Sequence, residues 1–184
     1  AQPATANTVG VGPVEPPYTQ DFQSDEAFAN LTVINVEETT KEWYHYTGHY
    51  SGNKWARIGY DSSNAKDDWL ITPSIRLEAG KIYILHFDVC KEGGAANIER
   101  IEVKFGRDKT VAAMTETAFS PTDVTDNAFT THTCHIEPTE TGNYHIGFHA
   151  CSDKDRFWLG LDNIRLEAGA IAGAPDVVQN LQVT

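Results

Sequence analysis

No apolar run in the 184 residues approaches the roughly 20 needed to cross a bilayer as a helix, so membrane insertion is not expected. Positive charge is scarce as well. Fourteen Lys and Arg stand against 26 Asp and Glu, a formal net charge of −12. A nucleic acid or an anionic membrane would repel such a chain rather than release counterions to it. The first residues, 1–8, lack the basic and apolar regions of a signal peptide. The three cysteines, Cys90, Cys134 and Cys151, match neither zinc-knuckle nor Cys-x-x-Cys spacing. They allow one internal pair at most; Cys90 with Cys151 is a bridge only if their strands lie side by side or face each other, and two buried thiols are the alternative.

Catalytic signatures are missing too. There is no Gly-x-Ser-x-Gly elbow, no His-Glu-x-x-His, no Walker loop and no Glu-x-Asp-x-x-Glu. Cys151 has no identifiable base, and no carboxylate pair is singled out for glycoside hydrolysis. The chain reads as a protein without catalytic residues.

What is present is a core. With 40% hydrophobic and 10% aromatic residues, the chain can bury one full interior and hardly two. Residues 1–17 are rich in Ala, Thr, Pro, Val and Gly and end in Glu15-Pro16-Pro17, an extended linker. The domain is expected over 18–168. Residues 169–184 read as a small-residue linker followed by a lone strand.

Between those ends the apolar period is close to two. Tyr83, Leu85, Phe87 and Val89 alternate with His86 and Asp88; Ile101, Val103 and Phe105 alternate with Glu102 and Lys104. Tyr144, Ile146, Phe148 and Ala150 repeat the pattern, and the turn at 140–143 predicts a hairpin with a strand over 129–136. Residues 67–77 hold a strand, a proline stop and a second short strand, and Glu78-Ala79-Gly80 turns into a third. Short helices are expected over 24–30, with Ser24 as N-cap, and over 109–117. Many strands, no βαβ rhythm and no internal repeat predict an all-β fold of two packed antiparallel sheets.

The last strand carries an irregularity. Phe157, Leu159 and Leu161 share one parity while Ile164 and Leu166 share the other. The phase change at Leu161-Asp162 predicts a β-bulge, a device that re-aims a side chain next to a site. Asp162 is then either a metal ligand or an anchor satisfied by backbone N–H groups.

Four segments in order resemble one family. They are Asp67-Asp68-Trp69-Leu70-Ile71-Thr72-Pro73, the strand ending Phe87-Asp88-Val89-Cys90, the strand Tyr144-His145-Ile146-Gly147-Phe148 leading to Cys151, and Phe157-Trp158-Leu159-Gly160-Leu161-Asp162-Asn163-Ile164. With Pro17-Tyr18-Thr19-Gln20-Asp21-Phe22 they are similar to the cleaved-adhesin modules of gingipains and the related choice-of-anchor J domains of Bacteroidetes surface proteins. The resemblance implies a jelly-roll β-sandwich, akin to galactose-binding and MAM-type modules, at the cell surface or secreted. It implies no catalysis and a structural calcium. The residues from Ala174 onward resemble the start of a fibronectin type III domain, which implies neighbouring domains in the same chain.

Calcium takes six to eight hard oxygen ligands. Asp21 and Gln23 share a strand face, and the resemblance places the first strand's acidic position and Asp162 at one cation. Gln23 stands where the family has Glu, so one charge is missing. The second candidate surface is the aromatic stretch 43–55. Tyr44, Tyr46 and Tyr50 are expected on an exposed, glycine-containing loop that stacks on sugar rings or anchors a protein, whereas Trp43 and Trp55 fit the core. His145 and His149 are about 13 Å apart at strand rise, too far for one zinc, and read as solvated histidines. The expected function is adhesion to a host or matrix protein or glycan; the alternative is a carbohydrate-binding accessory module of a larger secreted enzyme.

Overall fold

The alternating segments do become strands, and the computed structural model describes them within residues 12–48 and 53–171. In chain order the first six are β1 (Tyr18–Gln20), β2 (Thr32–Asn35), β3 (Tyr44–Thr47), β4 (Lys54–Gly59), β5 (Asp68–Ile71) and β6 (Ile75–Leu77). The rest are β7 (Lys81–Glu92), β8 (Glu99–Gly106), β9 (Glu116–Val124), β10 (Thr130–Ile136), β11 (Gly142–Ala150) and β12 (Trp158–Ile171). One sheet runs β10-β7-β12-β4-β3, with β1 also on β12; the other runs β2-β5-β11-β8-β9, with β6 on β11. Every named pairing is antiparallel. The predicted all-β sandwich is the observed architecture.

The core lies between the sheets and is built by the inward parity of each strand. Leu85, Phe87 and Val89 from β7 meet Ile146, Phe148 and Ala150 from β11, all fully buried, and the Phe87 and Phe148 rings meet edge to face at 5.5 Å. Each such side chain contributes roughly 1.5–3 kcal/mol on leaving water. Pro73 separates β5 from β6, and Gly80 makes the turn into β7 at φ +77°, a value that suits a residue without Cβ. The helix α1 (Asp25–Ala29) is capped as its sequence predicts, Ser24 Oγ accepting from Ala27 N at 3.0 Å.

Two sequence expectations fail, both over pairing partners. β10 and β11 are consecutive but do not form a hairpin; β10 pairs with β7 and β11 with β8 and β5. Both carry a core face, and residues 137–141 suffice to cross the roughly 10 Å between packed sheets, so each strand completes a different sheet. The helix expected over 109–117 is a single 3-10 turn, Val111–Ala113, after which β9 pairs with β8. Extending the sheet satisfies β8 backbone groups that a helix would leave open.

The domain edges extend slightly beyond 18 and 168. Val14 makes a parallel bridge to Ile75, its N donating to Ser74 O at 2.8 Å, and β12 continues to Ile171. The fibronectin-like tail falls beyond the described residues. All three cysteines are free. Cys90 shares the outward parity of its sheet and Cys151 follows the outward parity of the opposite sheet, so the Cys90–Cys151 bridge has no geometry.

Candidate ligand-binding face and its acidic neighbour

Burial of Leu159 and Leu161 obliges Trp158, Gly160 and Asp162 to point away from the core, because successive strand residues alternate faces. On β4 the same rule turns Trp55 and Arg57 outward between buried Ala56 and Ile58. β3 is an edge strand whose Tyr44 lies opposite Arg57 and whose Tyr46 lies opposite Trp55. In place of the expected exposed loop over 43–55, residues 44–47 and 54–59 are antiparallel strands of the sheet, with Tyr44 and Tyr46 half-buried. Trp43 is in the core, its Nε1 donating to Asp68 O at 3.2 Å, while Trp55 belongs to the outer face. Tyr50 lies outside the described residues.

Arg57 is the centre of this face. Its guanidinium carbon sits 4.2 Å from the Tyr46 ring centroid and 4.0 Å from that of Trp158, a two-sided cation–π stack. One terminal nitrogen donates to Glu92 Oε2 at 2.5 Å. The side chain is thereby neutralised and held in one orientation although it is only 8% exposed. Its Nε, and Nε1 of Trp55, have no hydrogen-bond partner among the described residues.

The rings connect into one band. From Tyr60 the steps run to Phe157 at 5.9 Å, Trp158 at 6.0 Å, Tyr44 at 6.3 Å, Tyr46 at 6.2 Å, Trp55 at 4.8 Å and Phe129 at 5.7 Å. These separations are those of favourable aromatic pairs. Phe129 at one end and Phe157, next to Tyr60 at the other, reach solvent at 37% and 36% exposure. Gly160 opens the floor beneath: a Cβ there would stand 2.8 Å from Cys90 Sγ and 3.3 Å from the Trp55 ring.

Two positions beyond Gly160 the same face becomes acidic. The predicted bulge is present, the β12–β7 register shifting between Asp162 and Arg165, with Asn163 at φ +49°. Asp162 faces Asp88 across the strands. Burial, with help from the charges of Asp88 and Asp21, pushes the Asp162 carboxyl up to about 6, against the pull of the Asn163 N–H it accepts at 2.7 Å. Asp88 accepts from Thr131 Oγ1 at 2.5 Å and from Asn163 Nδ2 at 2.8 Å. Asp21, Asp88, Thr131, Asn163 and His86 line a cavity of about 430 Å³ together with Arg165, whose guanidinium is paired with Glu167 at 2.9 Å.

Of the three expected metal ligands, Asp21 and Asp162 are thus drawn into one electrostatic neighbourhood. Gln23 is turned elsewhere: its amide nitrogen donates to Asp21 O at 2.9 Å and Lys54 O at 3.0 Å. The carboxylates are the hard oxygen donors calcium takes, and no cationic side chain pairs with Asp162 among the described salt bridges. Among the described residues, however, no three His, Cys, Asp or Glu side chains converge as a ready-made cage.

Sequence reasoning missed Arg57, Trp158, Phe129 and Asp88. A signal for Trp158 was available, since a Trp between core-parity Phe157 and Leu159 must face outward. The histidines on the other sheet were placed on the correct face but are not solvated. His145 Nδ1 lies 2.9 Å from Thr72 O, and His149 is packed under a satellite cluster of Trp69, Ile71 and Met114.

No protein-family model matches the chain, and no curated protein matches it. Solved structures do. The K3 cleaved adhesin domain of Lys-gingipain from Porphyromonas gingivalis W83 superposes with a TM-score of 0.64 at 17% identity, over 82% of this chain and 96% of that one. The K1 domain of the same protein gives 0.63 at 12% identity, over 83% and 98%. The CBM22-2 xylan-binding domain of Paenibacillus barcinonensis Xyn10C gives 0.57 at 14% identity, over 83% and 99%. At such identities the likeness is one of fold: this chain has the jelly-roll sandwich that adhesin and xylan-binding domains also use.

Proposed function

We propose that this chain is a non-catalytic, exported binding module that takes glycan on the aromatic face of the β10-β7-β12-β4-β3 sheet. The observation that carries the reading is Arg57, neutralised by Glu92 and fixed between Tyr46 and Trp158. An aromatic and guanidinium surface locked before binding loses little side-chain entropy when it stacks on a sugar ring. The fold shared with a domain named as xylan-binding supports the same direction. Adhesion is then attachment to a glycan-bearing surface, and attachment to a secreted enzyme would make the same face a targeting device.

Calcium belongs to the proposal as a structural ion on Asp162 and Asp21, with Asp88 in place of Gln23 and the remaining ligands from backbone carbonyls and water. Asp162, buried among like charges, supports it. Chelation should then lower the melting temperature; an unchanged melting curve removes the ion from the account.

The binding reading is tested by screening the whole chain on a broad glycan array, beside a Trp158→Ala variant whose melting curve shows it folded. Binding to any glycan class, lost in the variant, is the expected result. A blank array, or binding indifferent to Trp158, overturns it.

A further inference from the structure

The aromatic band has a length, two ends and a charge, and each restricts the ligand. Trp55 on β4 and Tyr60 just past its end mark the extent of the band, at most about 17 Å at strand rise, and Phe129 carries it further toward β10. That is longer than a single sugar ring. Phe129 at one end and Phe157, the ring next to Tyr60 at the other, are the two most solvent-exposed of the band, whereas a pocket for a chain terminus would close over one end.

Charge narrows the class. Arg57 is paired with Glu92, Lys54 with Asp25, and His86 and Arg165 both with Glu167. Lys91 on β7 has no carboxylate partner among the described residues, but it is only 3% exposed and its ammonium donates to Gly93 O, Gly94 O and Asn127 Oδ1. The other unpaired charges beside the band are negative, Asp21 and Asp88 in the adjoining cavity and Asp162 opposite Asp88. A uronate or sulfate laid along the band would find like charge and, among the described residues, no accessible unpaired cation, and like charges brought together at an interface oppose binding.

We propose, resting on the glycan reading above, that the ligand is the interior of a linear, uncharged polysaccharide, several sugar residues of which lie along the band. The outward rings of Trp158, Trp55 and Phe129, with the exposed Phe157 just before β12, supply stacking. Arg57 braces them and is not an ion-pairing partner for the ligand.

Affinity electrophoresis in gels cast with neutral linear polymers, xylan and a mixed-linkage β-glucan, or with polygalacturonate or heparin, separates the classes. It should be paired with calorimetry on neutral oligosaccharides from disaccharide to hexasaccharide. The expected result is retardation in a neutral gel only and affinity that climbs at least tenfold from disaccharide to hexasaccharide. Phe157→Ala, at the exposed end of the band where folding is least disturbed, should reduce the hexasaccharide gain and spare the disaccharide. Preference for the acidic polymers, with or without calcium, overturns this inference while leaving glycan binding intact, and so does an affinity already complete at the disaccharide. Retardation by none of the polymers, with hits on the array confined to branched or terminal sugars, also overturns it. A blank array overturns the glycan reading itself.

Discussion

His149 lies flat on Trp69, ring centroids 4.2 Å apart and planes within 5° of parallel. Its Nδ1 is 2.6 Å from Glu102 Oε1 and its Nε2 is 2.7 Å from Asp67 Oδ1. The ring bridges two carboxylates, one at each nitrogen. One side chain on β11 thus ties β8 to the segment entering β5, on the sheet opposite the binding face.

Replacing it removes both bonds and leaves Glu102, 8% exposed, with only Lys104 Nζ at 3.7 Å. His149→Ala should lower unfolding free energy by about 2–4 kcal/mol in a urea titration and leave glycan retardation unchanged. A midpoint shift worth under about 0.5 kcal/mol would show that the pairing carries no stability.

A second test concerns the buried ion pair. Lys66 Nζ donates to both Glu99 oxygens at 2.7 and 2.9 Å, and Ser152 Oγ donates to the same carboxylate. Burial lowers the Lys66 pKa, against the favourable charge of Glu99. Lys66→Met leaves Glu99, wholly buried, without a counter-charge and should cost about 3–5 kcal/mol. Lys66→Met with Glu99→Leu should recover most of that loss in the same melt. A double variant no better than the single one would contradict the account.

The third test is one of pH. Burial, then the charge of neighbouring Asp67, raises the Asp68 carboxyl to about 7, and its Oδ1 has no partner among the described residues. Between about 4 and 7 the folded chain holds a proton that the unfolded chain has released, so stability falls as pH rises through that window. The slope is at most about 1.4 kcal/mol per pH unit for one such group. Asp68→Asn should flatten the fall and melt higher than the parent at pH 8; a parent whose melting temperature rises from pH 5 to pH 7 would refute it. Asp162, raised to about 6, adds to the fall over a narrower range.

The parts of the fold readable from sequence were those fixed by local pattern. The alternation of residues 81–92 and 99–106, the proline stop at Pro73, the Ser24 cap and the bulge after Asp162 each follow from side-chain parity or backbone chemistry within a few residues. Partnership was not readable in that way. Parity says that Thr130–Ile136 and Gly142–Ala150 each have an inner face, yet the choice between one hairpin and two sheets depends on which strands elsewhere need neighbours.

The binding face divides along the same line. Tyr44 and Tyr46 were identified because aromatics cluster there in sequence, while Arg57 and Trp158 come from strands a hundred residues apart and meet only through the Gly160–Arg57 register. Gln23 was drawn in by position alone, and the carbonyl of Lys54, 31 residues away, claims its amide.

The place of β12 bears on how such a chain is made. It is the last of the described strands, yet it runs down the middle of its sheet between β7 and β4 and also receives β1. Until its 14 residues have left the ribosome, β4 and β7 have no common neighbour and β1 has no seat. An emerging chain in that condition cannot close its sandwich prematurely, because the wait for distant contacts is built into the topology. Its order of synthesis keeps the sandwich open until β12 has emerged.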